Sequence, residues 1–151
     1  MTVHTAEDIL AEARYFHHHL KVFYQALEHK VERPKVRLIL EYLCRHEERM
    51  ENMLAEYRDD ITAKISHTWF KHMPGDSIDA VIASVDARPD MTLDELLIMA
   101  MKFEDCFINL YRHVADQAVS VEVKEVFETL EKESIKDRTN LARNLVNMQD
   151  L

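Results

Sequence analysis

The chain has 151 residues and carries nine more acidic than basic side chains. It is long enough for one compact domain with a sizeable core, and its acidic balance, with no offsetting basic patch, excludes a nucleic-acid phosphate backbone as partner. One glycine and three prolines set against plentiful Ala, Leu, Glu, Lys and Met predict a nearly all-helical fold. Cys44 and Cys106 lack the Cys-x-x-Cys spacing of a zinc ribbon. With no signal-like apolar run and no segment of membrane-span length, the expectation is a soluble, cytoplasmic protein with no membrane partner.

In chain order, Thr5 and Asp8 form a capping-box-like pair that starts a first helix. Its inner stripe is Leu10, Ala13, His17, Leu20, Tyr24 and Leu27, flanked by Phe16 and Phe23. Pro34 disfavours helix at Arg33 and opens a second helix. That helix turns Val36, Leu40, Leu43, Glu47, Met50, Leu54 and Tyr57 inward. A glutamate in the middle of an apolar stripe is costly to bury unless a cation or hydrogen-bond donors meet it. The short connection makes the two helices an antiparallel pair.

Asp59–Asp90 is the irregular part and reads as a crossover strapped along the bundle. Ile61, Ile65 and Trp69 are spaced for a short helix, Met73-Pro74-Gly75-Asp76 for a turn, and Ile78, Val81, Ile82 and Val85 for a second short helix. His67 and His72 read as surface groups. Thr92 and Glu95 form a clearer capping box. The third helix turns Leu97, Ala100, Glu104, Phe107, Tyr111 and Val114 inward. A fourth, starting near Val121, buries Val123, Phe127, Leu130, Ser134, Asp137 and Leu141. If the second and third helices run parallel, the crossover must span on the order of 40 Å, the length of a helix of ~27 residues. The organisation expected is one domain over residues 1–151, with helix pairs over 5–58 and 91–148 joined by a crossover over 59–90.

A shift of 87 positions lays one half on the other without a gap. HTAEDIL (His4–Leu10) falls on MTLDELL (Met91–Leu97), Phe16 on Phe103, Tyr24 on Tyr111, Val36 on Val123, Leu43 on Leu130 and Leu54 on Leu141. A constant register, with helix caps and apolar positions matched, points to duplication of a helix pair.

The four stripes bring His17, Glu47, Met50, Glu104, Ser134 and Asp137 to similar depth. Phe23-Tyr24 and Leu110-Tyr111 end seven residues beyond His17 and Glu104, and the second helix of each pair holds positions with Glu-x-x-His spacing. With two helix pairs and a long crossover, this resembles the rubrerythrin-like group of the ferritin-like superfamily over Thr5–Asn147, without a rubredoxin domain. The resemblance implies a ferritin-like four-helix bundle in which a Glu from each of two helices and a Glu-x-x-His from each of the others bind two irons. Carried over by position, Glu104 and Glu47 keep the family's residue type. His17 stands for the first-helix glutamate, Met50 for one histidine, Ser134 for a glutamate and Asp137 for the other histidine. The implied metal ligands are therefore His17, Glu47, Glu104 and Asp137, with Met50, Ser134, His46 and Glu133 as weaker candidates. Family oxidase or peroxidase activity is at odds with these replacements, and no catalytic residue is assigned.

Three states of this layer are open. It holds no metal, and histidine and carboxylates satisfy one another; it holds one iron, zinc or manganese on His17, Glu47, Glu104 and Asp137; or it holds two ions by recruiting His46 or Glu133. In function these correspond to a metal-binding protein with an iron-handling or redox role, or to a bundle that serves as a structural or protein-interaction module. Successive helical residues point ~100° apart, so of His17, His18 and His19 only His17 faces inward. Trp69, Phe70 and Met73 suggest a homodimer interface, and Met91, Met99 and Met101 are candidates to join one.

Overall fold

The computed structural model describes residues 4–60, 69–70, 78–85 and 87–149. Four long helices make up most of it: α1 (Ala6–Glu28), α2 (Pro34–Asp60), α4 (Leu93–Gln117) and α5 (Val121–Gln149), with the short α3 (Ile78–Ser84) between the pairs. α1 packs along α2, and α4 along α5. Five residues separate Glu28 from Pro34 and three separate Gln117 from Val121, so each pair is an antiparallel hairpin. The apolar faces of the two pairs close on one core, as the 3.6-residue periodicity requires.

Each pair starts with the same local chemistry. Thr5 is extended (φ −88°, ψ 163°); its hydroxyl accepts from the Asp8 N–H at 3.0 Å, and the Asp8 carboxylate accepts from the Thr5 N–H at 3.1 Å. Thr92 repeats this (φ −75°, ψ 163°), accepting from the Glu95 N–H at 3.1 Å and donating its own N–H to Glu95 at 3.3 Å. Both boxes satisfy two backbone donors that a helix start would leave open. Pro34 opens α2 at a position where its missing N–H costs nothing. Ser120 precedes α5, its carbonyl accepting from Lys124 at 3.0 Å. The caps Thr5 and Thr92, and the starts Pro34 and Val121, are each 87 residues apart, so the repeat is structural as well as sequential.

The core is aromatic at its centre. Tyr24, Phe103, Phe107, Tyr111 and Phe127 are all buried. Phe103 meets Tyr24 edge-on with centroids 6.2 Å apart, and Tyr111 lies 6.1 Å from Phe107 and 6.3 Å from Phe127. Such offset and edge contacts add to area burial. Met91 and Met99, candidates for an interface, are instead buried in this core. No disulfide joins Cys44 to Cys106.

Between the pairs, α3 lies where a second short helix was expected, and its Val81 and Ile82 pack on the core with Val85 just beyond. Trp69–Phe70 pairs antiparallel with His4–Thr5, so the helix expected over Ile61–Trp69 does not reach Trp69. The extended backbone that Thr5 needs as a cap leaves an edge on which two residues can pair. Ile61, Ile65, His67, His72 and the Met73–Asp76 turn lie outside the described residues, as do the Trp69, Phe70 and Met73 side chains behind the homodimer expectation. Among the described residues, no helix is long and apolar enough to cross a membrane.

If the paired capping boxes hold the two hairpins equally, Thr5→Ala and Thr92→Ala should each lower stability by about 1 kcal/mol, and the effects should add. Urea unfolding of the two single variants and the double variant checks this; a single variant as stable as wild type would show that its box does not stabilise its helix.

Candidate metal centre

Seven polar or polarisable side chains are buried within this apolar core: His17 from α1, His46, Glu47 and Met50 from α2, Glu104 from α4, and Ser134 and Asp137 from α5. None is more than 5% exposed. The 87-residue repeat relates six of them in pairs: His17 with Glu104, Glu47 with Ser134, and Met50 with Asp137. His46 and Glu47 are adjacent on a helix, so they reach the layer from two directions.

His17 is held on three sides. Its ring stacks on Phe107 with centroids 3.8 Å apart and planes 6° from parallel. Nδ1 lies 2.5 Å from Glu47 Oε2, and Nε2 lies 3.5 Å from the Tyr111 hydroxyl. A neutral imidazole satisfies this geometry, donating from Nδ1 to the carboxylate and accepting at Nε2 from tyrosine.

His46 is the hub of the other contacts. Its Nε2 is 2.7 Å from Glu104 Oε1 and 3.9 Å from Glu47 Oε1, and its Nδ1 is 3.6 Å from Asp137 Oδ2. Arg49, one turn further along α2, puts a guanidinium nitrogen 2.9 Å from Asp137 Oδ1 and 3.3 Å from His46 Nδ1. The Arg49 side chain is 59% exposed, so it reaches Asp137 from the surface of the bundle.

Burial alone would lower the His46 pKa, but the hydrogen bond to Glu104 and the charges of Glu104, Glu47 and Asp137 outweigh it and push the imidazole up to about 9. Burial raises the Glu104 carboxyl, against the opposing bond and charge of His46. Tyr24 and Tyr111 are pushed up by burial and by the two glutamates, so both remain phenols. The Cys44 thiol, raised to about 11 by burial and nearby carboxylates, behaves as a small apolar group.

The residue set differs in emphasis from the sequence reading. His46, a weaker candidate there, lies at the centre. One donor atom from each of His46, Glu47 and Glu104 falls within 4.8 Å of the others. His17 touches this group through Glu47, and Asp137 through His46 and Arg49. Glu133 is half-buried and is not among the three converging donors. Sequence reasoning missed Arg49. Its position one turn after His46 on the same side of α2 was the available signal. His18 pairs with Glu51 at 3.0 Å on the outside, as its position next to an inward His17 requires.

Among the described residues, Glu104 Oε2, Asp137 Oδ2 and Ser134 Oγ are buried without a hydrogen-bond partner. Buried carboxylate oxygens left this way are rare in folded proteins and call for a specific explanation. An imidazole and two carboxylates converging, with a carboxylate oxygen to spare, form a donor set that suits a divalent first-row ion.

No protein-family model matches the chain, and no curated protein matches it significantly. Among solved structures it is similar to a Thermotoga maritima protein provisionally described as a ferritin-like diiron-carboxylate protein. The TM-score is 0.64 at 17% identity, covering 95% of each chain. Likeness over the whole length of both chains identifies the fold as a ferritin-like helical bundle. The rubrerythrin-like subgroup does not follow from it.

The upward shifts at His46 and Glu104 mean that the native layer binds protons more tightly than the unfolded chain, so stability should fall as pH rises. The His46 contribution is complete below its ordinary value of 6.5 and is lost as pH rises toward about 9. In chelator, the melting temperature should drop by on the order of 5–10 °C across that window. His46→Gln should flatten the slope, and an unchanged slope in that variant would assign the effect to other groups.

Proposed function

We propose that the chain is a ferritin-like metal-binding protein that holds one divalent ion in the bundle core on His46, Glu47 and Glu104. His17 orients Glu47, and Asp137 completes the acidic surroundings. The supporting observation is the convergence of three buried donor groups within 4.8 Å, with a Glu104 oxygen that has no hydrogen-bond partner among the described residues. Charge supports it too. Among the described residues, the guanidinium of Arg49 offsets one of three buried carboxylates, and a divalent ion that displaces the His46 proton brings the layer to neutrality. Iron, zinc and manganese all suit mixed imidazole and carboxylate donors. A bound ion would supply Lewis acidity there and, if iron, one-electron redox chemistry. An iron-handling role is the reading in line with the fold.

A second reading is a metal-free bundle serving as a structural or interaction module. It is favoured by the pairing of His17 with Glu47 and of His46 with Glu104, which gives each glutamate a hydrogen-bond donor without an ion. Elemental analysis separates the two. Protein purified after growth with iron, zinc and manganese should carry close to one ion per chain, and Glu47→Gln with Glu104→Gln should reduce it to near zero. A wild type that is empty under all three metals favours the second reading.

The serine at the position where the family's bridging glutamate would stand predicts little catalysis at a two-iron centre. Iron(II) oxidation should run at the rate of a protein-free control, with no diferric absorption band. Robust turnover would show that other residues bridge two irons.

A further inference from the structure

We infer that Arg49 is a built-in cation that takes the place of a second metal ion and limits the core to one. The inference rests on the one-ion reading above. The geometry lies on the side of the layer away from Glu47. Arg49 reaches in from the surface to bind Asp137 Oδ1 at 2.9 Å and lies 3.3 Å from His46 Nδ1. Among the described residues, Asp137, with Ser134 one turn before it on α5, offers acceptor atoms to a cation on this side of the layer, and Tyr42 lies close enough to feel the charges of Asp137 and Arg49. Asp137 Oδ2 and Ser134 Oγ are buried and have no hydrogen-bond partner among the described residues. A guanidinium therefore occupies part of a donor set that has unused acceptor atoms beside it.

The charge balance explains why the cation is an arginine. Glu47, Glu104 and Asp137 contribute three negative charges to a layer no more than 3% exposed at these residues. One divalent ion and one guanidinium balance them. A second divalent ion beside the guanidinium would leave a buried excess of positive charge, which a low-dielectric core opposes strongly. Arginine also keeps its charge at any physiological pH. Removing it leaves Asp137 uncompensated and opens the space its head occupies. The 59% exposure of its side chain makes the substitution tolerable for folding.

Zinc(II) is a suitable probe, because it is redox-silent and accepts imidazole, carboxylate and hydroxyl-bearing surroundings. Each protein is dialysed against excess zinc(II), and bound metal is counted by elemental mass spectrometry, with helical content followed by circular dichroism. Wild type should hold one zinc and Arg49→Gln two. The double variant Arg49→Gln/Asp137→Asn should return to one, and Arg49→Lys, which keeps the charge, should stay at one. By calorimetry, a second zinc should bind wild type about tenfold or more weakly than Arg49→Gln. If wild type holds one zinc and a folded Arg49→Gln also holds one, the inference is overturned while the one-ion reading stands. Two zincs in wild type or in Arg49→Lys also overturn it. A wild type that takes up none overturns the one-ion reading and this inference with it.

Discussion

Three carboxylates, Glu47, Glu104 and Asp137, are buried in the centre of an aromatic and aliphatic core. Ionised acids in such a place cost several kcal/mol each unless they are paired and hydrogen-bonded. The polar contacts of the layer are arranged around that cost. His17 serves Glu47, His46 serves Glu104, and Arg49 serves Asp137. Phe107 fixes the plane of the first imidazole, and the Tyr111 hydroxyl lies against its far nitrogen. The helices must hold their register for these pairs to meet, and the matched capping boxes at Thr5 and Thr92 set where two of those helices begin.

The layer is asymmetric although the scaffold is repeated. Related positions carry His17 and Glu104, Glu47 and Ser134, Met50 and Asp137. One side therefore gathers imidazole and two carboxylates, a donor set for an ion. On the other, a carboxylate is held by a guanidinium, a fixed positive charge. A duplicated fold with matched donors favours two equivalent sites. Here related positions carry unlike residues, with His46, Glu47 and Glu104 converging on one side and Arg49 bound to Asp137 on the other.

Much of the bundle was legible in the sequence because its signals are local. Thr-x-x-Asp and Thr-x-x-Glu at the starts, Pro34 after a short connection, and apolar stripes at helical spacing each have a direct structural counterpart. The constant 87-residue offset carried the pairing of the halves. The inward stripe placed Glu47, Glu104, Ser134 and Asp137 in the core, since each replaces an apolar residue in a regular series. His46 and Arg49 were harder to read. A helical face that packs on two neighbours is wider than a single stripe, so a flanking residue such as His46 can be as buried as Glu47. An arginine on an exposed position does not interrupt the apolar stripe, so its spacing from His46 was the signal it left. The Trp69–Phe70 pairing depends on a contact with residues far away in sequence, which helical spacing does not report.

The central claim, one divalent ion on the His46 side of the layer and none on the Arg49 side, is tested most directly by anomalous X-ray diffraction at the zinc edge from crystals grown with zinc(II). The result predicted is a single core peak among His46, Glu47 and Glu104, with Arg49 still on Asp137. A core without a peak, or a peak between Asp137 and Ser134 with Arg49 displaced, would contradict it.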